Sequence, residues 1–149
     1  SLNQNIIIKM DKNKIIDKIH SRSSATLVGA LGIELTDFGN NFVSGKMPVD
    51  ERTKQPFGLL HGGASVALAE TLGSIGGGMQ VDLKLYSVVG IEINASHLKS
   101  VKSGWVFGKA VATRIGKRIQ VWEIKITDEK ENLVCKSRLT LAVIKNNDQ

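Results

Sequence analysis

Cysteine is almost missing from this 149-residue chain. Cys135 stands alone, so no internal disulfide can form, and its place in an apolar alternation suits a small buried side chain. Histidine is as sparse, and His20, His61 and His97 lie too far apart to give the spacing of a zinc site. No Gly-x-Ser-x-Gly segment occurs, which disfavours a serine-triad hydrolase. Despite a net charge of +6, no helix-turn-helix, zinc-finger or aromatic RNA-binding pattern accompanies the basic residues, so nucleic acid is not the expected partner. The longest weakly charged run, residues 62–81, holds six glycines together with Ser65, Glu70, Thr71, Ser74 and Gln80, which argues against a membrane span. Ile6-Ile7-Ile8 is short and leads into lysine-rich sequence rather than a cleavage site, and the expected location is the cytoplasm. Internal repeats, linkers and low-complexity segments are absent as well.

What is present is one domain's worth of chain, 1–149, with enough apolar content, 42%, to build a core. Residues 11–20 place Ile15, Ile16 and Ile19 at helical spacing, and 26–30 suggests a second short helix; both belong to a peripheral N-terminal region, of which 1–20 is the outermost part. Residues 40–47 alternate and stop at Pro48, which reads as a strand. Residues 63–79 are apolar on nearly every side, the pattern of a helix enclosed by other structure, and Gly76, Gly77 and Gly78 should end or loosen it. Period two then takes over in 88–98, 105–115, 119–127 and 133–144. In the last of these, Cys135, Ser137, Leu139, Leu141 and Val143 share one face, with Lys136, Arg138 and Thr140 on the other. The short connections favour antiparallel hairpins. One strand, one enclosed helix and four strands predict an α+β fold in which a curved antiparallel sheet wraps a long central helix.

Two features carry chemistry. Glu70 is the only charged residue of 62–81, and a carboxylate on an apolar, alanine-rich helix loses hydration at a cost that stability alone would not select. The bland reading is a carboxylate paired with a basic residue from elsewhere; the sharper one is a reactive group. Ser74 lies four residues on, within reach of the same water. His61 precedes Gly62-Gly63 and reads either as a helix cap or as a site residue. From His97 to Thr127 seven basic side chains (Lys99, Lys102, Lys109, Arg114, Lys117, Arg118, Lys125) meet one acid, Glu123. That half should attract anions, a phosphorylated small molecule included, although solvated outer strand faces would give the same pattern.

The segment 52–70, RTKQPFGLLHGGASVALAE, closely resembles the hotdog-fold acyl-CoA thioesterases, in particular the bacterial dihydroxynaphthoyl-CoA hydrolases of menaquinone synthesis and related aryl- and acyl-CoA thioesterases. Further matches are VVGIEINASH at 88–97 and QVWEI at 120–124, so the resemblance runs from about Met47 to Ile144. It implies a hotdog fold, active sites built across the interface between two subunits, and commonly a homotetramer made as a dimer of dimers. It places a carboxylate, nucleophile or general base, on Glu70. The Gly62 amide would bind the thioester oxygen, Gln55 and His61 would position the acyl group, and Ser74 would lie near the carboxylate and its water. Coenzyme A, part of the substrate rather than a cofactor, is expected against Gly90, His97, Lys99, Ser100, Lys117 and Arg118. Lys99 stands where arginine is common in the family, and a lysine offers a point charge without a bidentate fork. A thioester carbonyl gains negative charge on attack, and the first-turn amides of a helix are free to receive it. Two other uses of such a fold are a non-catalytic acyl-CoA binding module and a dehydratase acting on acyl thioesters with His61 as base.

Overall fold

The computed structural model describes residues 2–147. Two helices lead, α1 (Leu2–Ser23) and α2 (Leu27–Ala30), followed by β1 (Glu34–Phe38), β2 (Phe42–Pro48), the central helix α3 (Gly62–Met79), and β3 (Tyr86–His97), β4 (Trp105–Ile115), β5 (Ile119–Thr127) and β6 (Leu133–Lys145). The strands form one sheet in the order β1-β2-β4-β5-β6-β3, antiparallel at every pairing. Bulges interrupt the register between Leu35 and Asp37, between Gly90 and Glu92, and between Ala112 and Arg114. Each adds local twist, which helps the sheet to curve around α3.

The expected sheet-and-helix arrangement is present, with four corrections. A strand was missing from the expectation: β1 has a single fully buried side chain, Leu35, among Glu34, Thr36 and Asp37, too little alternation to register. The link from β3 to β4 is not a hairpin, because β3 pairs with β6 and lies at the sheet edge. α1 is longer than 11–20 and docks mainly by its C-terminal part: Ile16 is buried and Ile19 packs on the core, but Ile15 is 45% exposed. The imidazole Nε2 of His20 accepts the Leu35 amide at 2.9 Å, tying this helix to β1. Finally, α3 runs on through Gly76 and Gly77 to Met79 rather than loosening there.

Packing explains that persistence. The indole of Trp122 lies against Gly76, where an added Cβ would sit 2.7 Å from the ring, and a Cβ on Gly77 would sit 2.5 Å from Leu141. The buried Gln120 amide donates to the Gly77 carbonyl at 3.3 Å while its oxygen accepts the Trp122 indole N–H at 2.9 Å. Close approach therefore offsets the poor helix propensity of glycine.

α3 buries one face against the sheet through Ala64, Leu68, Ala69 and Leu72. Its other face, with Val66, Ala67, Glu70, Thr71, Ser74 and Ile75, is only partly covered, so within one chain the helix is not enclosed all round. The β6 alternation holds as read, with Cys135, Ser137, Leu139 and Leu141 buried and burial pushing the Cys135 thiol above its ordinary value. Among the described residues no helix is long and apolar enough to cross a membrane.

Candidate active site

The segment between β2 and α3 is pinned before it reaches the helix. Thr53, 2% exposed, donates its hydroxyl to the Pro48 carbonyl at 2.7 Å, and its own carbonyl accepts the His61 amide at 2.8 Å. Gln55 closes a small loop: its amide reaches the Leu59 carbonyl at 2.8 Å and its Oε1 accepts the Phe57 amide at 2.5 Å. The Leu60 amide binds the Val101 carbonyl at 2.8 Å, which brings the connection between β3 and β4 alongside. These bonds fix the angle at which α3 begins.

His61 is the N-cap of α3, and its Nδ1 accepts the Gly63 amide at 2.7 Å. That bond needs an unprotonated Nδ1 and leaves Nε2 facing outward. The amide of Gly62, first residue of the helix, has no carbonyl one turn back to bind and points out of the helix with positive partial charge. The His97 imidazole lies directly against Gly62, where a Cβ would meet Nε2 at 2.9 Å. Gln55, Gly62, His97, Lys99 and Ser100, five of the residues expected at the site, line one cleft of about 400 Å³.

The remaining expected residues fall into two other places. The Glu70 carboxylate lies over Gly90 in β3, so close that a Cβ on Gly90 would meet Oε1 at 2.9 Å, and Ser74 sits one turn further along the same partly covered face. Gly90 also opens the β3 bulge. Lys117 and Arg118 occupy the turn between β4 and β5, with Lys117 lining a separate hollow of about 500 Å³ beside Gln80 and Tyr86. β4 has eleven residues, so that turn is roughly 30 Å from the Lys99 end of the sheet. One chain does not bring the two halves of the expected coenzyme A set together.

Electrostatics refine the cleft mouth. Lys99 is paired with Asp128, whose carboxyl is held well below its usual range first by that contact and further by bonds from the Asn132 and Lys130 amides. The Lys99 charge is thus already engaged, while all seven basic residues of the 97–127 half are exposed. Sequence reasoning passed over Asp128, which reads only as the start of an acidic turn, and Ser65, which lines the cleft one turn inside Gly62. Thr53 was also passed over; nothing in its sequence context marks it as the hub of the loop. Among the described residues no three His, Cys, Asp or Glu side chains gather as a metal site would require.

Known proteins share this fold and much of its sequence. The family described as "Thioesterase superfamily" matches residues 57–135. A putative esterase of Haemophilus influenzae is 47% identical over 89% of this chain and 96% of its own length. The 1,4-dihydroxy-2-naphthoyl-CoA hydrolase of Escherichia coli is 46% identical over 89% of this chain and 98% of its own. Among solved structures, a thioesterase from Haemophilus influenzae superposes with a TM-score of 0.86 at 46% identity, covering 90% of this chain and 93% of that one.

Proposed function

The chain belongs to the thioesterase superfamily, and from that membership we propose that it hydrolyses aryl- or acyl-CoA thioesters to the free acid and coenzyme A in the cytoplasm, with Glu70 as the reactive carboxylate. The observation that carries this reading is the convergence of Gln55, His97, Lys99 and Ser100 on the cleft into which the free Gly62 amide opens. The thioester oxygen docks on that amide, which stabilises the charge that develops as the carbonyl carbon is attacked. Glu70 either attacks that carbon itself, giving a mixed anhydride that water hydrolyses to the free acid after the thiolate has left, or takes a proton from a water that attacks the carbon directly. The C–S bond then breaks and the thiolate leaves to be protonated. No metal or separate cofactor enters the scheme.

Geometry within one chain sets a condition. Eight residues separate Gly62 from Glu70 on α3, a rise of about 12 Å, more than one thioester group spans while touching both. A second copy therefore supplies one of the two groups. The partly covered face of α3 and the long edge strand β3, which exposes Val89 (43%) and Ile91 (57%), are surfaces that such a copy would cover. The proposed assembly is a homotetramer built from two such dimers, which would also bring Lys117 and Arg118 of one chain toward the Lys99 end of another.

The similarity to the dihydroxynaphthoyl-CoA hydrolase makes that aryl thioester the first substrate to try. The proofreading thioesterase of Cronobacter turicensis, 47% identical over 89% of this chain, widens the panel to other thioesters. Thiol release is followed across aryl- and fatty acyl-CoAs, ranked by kcat/KM. Glu70→Gln should leave a folded oligomer that binds coenzyme A and loses about 10²- to 10⁴-fold in kcat. Full turnover by that variant removes the mechanism.

A further inference from the structure

Ser65 stands three residues beyond Gly62, on the same side of α3. It is 1% exposed, yet it lines the cleft shared with Gly62, Gln55 and His97. Its hydroxyl is idle. In this stretch of α3 the side-chain bonds are those of Thr71, which donates to the Ala67 carbonyl at 2.6 Å, and of the His61 cap. Every fully enclosed polar side-chain atom among the described residues has a hydrogen-bond partner, whereas the Ser65 hydroxyl has none and keeps its one open edge toward the cleft. A hydroxyl that makes no bond within the chain adds nothing to the fold, and alanine at this position would be both more apolar and a better helix former. A serine that the fold does not use points to a ligand that does.

We propose that Ser65 is a substrate-binding residue whose hydroxyl bonds an amide of the pantetheine arm, at the inner end of the cleft beside the thioester. This rests on the thioesterase reading above and adds a contact to it. Polar groups mark the cleft from its exposed mouth, at Lys99 and Ser100, through Gln55 and His97, to Ser65 at the buried end, with Leu60 and Val134 as apolar wall between them. An arm of methylenes interrupted by two secondary amides matches such a channel, because its polar groups recur at intervals and its carbon segments do not. A hydroxyl both donates and accepts, so it serves either the N–H or the carbonyl of an amide.

Ser65→Ala tests this with stability and binding moving in opposite directions. The variant should melt at the same temperature as the parent or higher, while kcat/KM for benzoyl-CoA falls roughly three- to tenfold through a raised KM with kcat nearly unchanged. The benzoyl thioester of ethanethiol, which has no amide, should be hydrolysed equally by both proteins. Calorimetric binding of free coenzyme A, which carries the same arm, should weaken by a similar factor and reads the contact without turnover. Unchanged kinetics and coenzyme A binding overturn the assignment. A lowered melting temperature accompanying the loss would show a structural serine, and an equal loss on both thioesters would place the hydroxyl elsewhere; either also overturns it. If the parent binds coenzyme A but releases no thiol, the hydrolytic reading fails while the binding arm still decides on Ser65.

Discussion

The two ends of α3 are both rich in glycine and use it for opposite ends. At the N-terminus Gly62 keeps a helix amide open beside a cleft, and its neighbour, the His97 imidazole, is an exposed side chain that can swing away. At the C-terminus Gly76 and Gly77 let the helix settle onto Trp122, Gln120 and Leu141, all of them fully buried. In the proposed function the same missing Cβ serves a ligand at one end, and in the fold it serves the core at the other. What distinguishes them is the freedom of the atoms facing the gap, a property of the neighbours and not of the glycine.

The same substitution at both ends is the sharpest way to break this contrast. Gly62→Ala should cut kcat/KM on the order of 10²-fold, since the new methyl displaces His97 and crowds the approach to the amide, while the melting temperature barely moves. Gly76→Ala should do the reverse. Its Cβ meets a ring that cannot retreat, at a cost of about 1–3 kcal/mol, so melting falls by several degrees with kcat/KM per folded molecule little changed. If both variants lose stability alike, the N-terminal glycine is a packing glycine too and the distinction disappears.

A smaller effect sharpens the picture at the cleft mouth. Asp128 titrates below 3.8 in the folded chain because Lys99 and backbone amides favour its charged form. A depressed folded value means that its contribution is fully present above pH 3.8 and fades as pH falls through the lower folded value. Asp128→Asn should therefore lower the melting temperature slightly at pH values above 3.8, where the contribution is present, and flatten the acid limb below it, where the two proteins converge. It also frees Lys99, so coenzyme A binding should tighten modestly at low salt and less at high salt.

Much of the fold was legible where pattern and packing agree. β4 and β5 fall on 105–115 and 119–127 as the alternation indicates, because hairpin strands with one buried face must alternate. β1 was not legible, since a strand that buries only Leu35 leaves no period to read. The span of α3 was legible, 63–79 expected against Gly62–Met79, but its regularity at the end was not: propensity counts against Gly76 and Gly77, and the packing of Trp122 and Leu141 on them reverses the balance. The site divides in the same way. Its residue types were visible in the 52–70 motif and the basic turns, but the pairing of Lys99 with Asp128, 29 positions later, and the unused hydroxyl of Ser65 depend on what stands opposite.

By itself the sequence determined that one carboxylate would ride an otherwise uncharged helix, that this helix would begin at a histidine and two glycines, and that period-two strands would follow. These are local facts, set by residue type and spacing. The tertiary structure decided which residues meet: His97 against Gly62, Glu70 over Gly90, Lys117 and Arg118 at the far end of the sheet from Lys99. Contact depends on how strands pair and where the helix crosses them, and β3 pairs with β6 at one edge of the sheet, three places from β4, its neighbour in sequence.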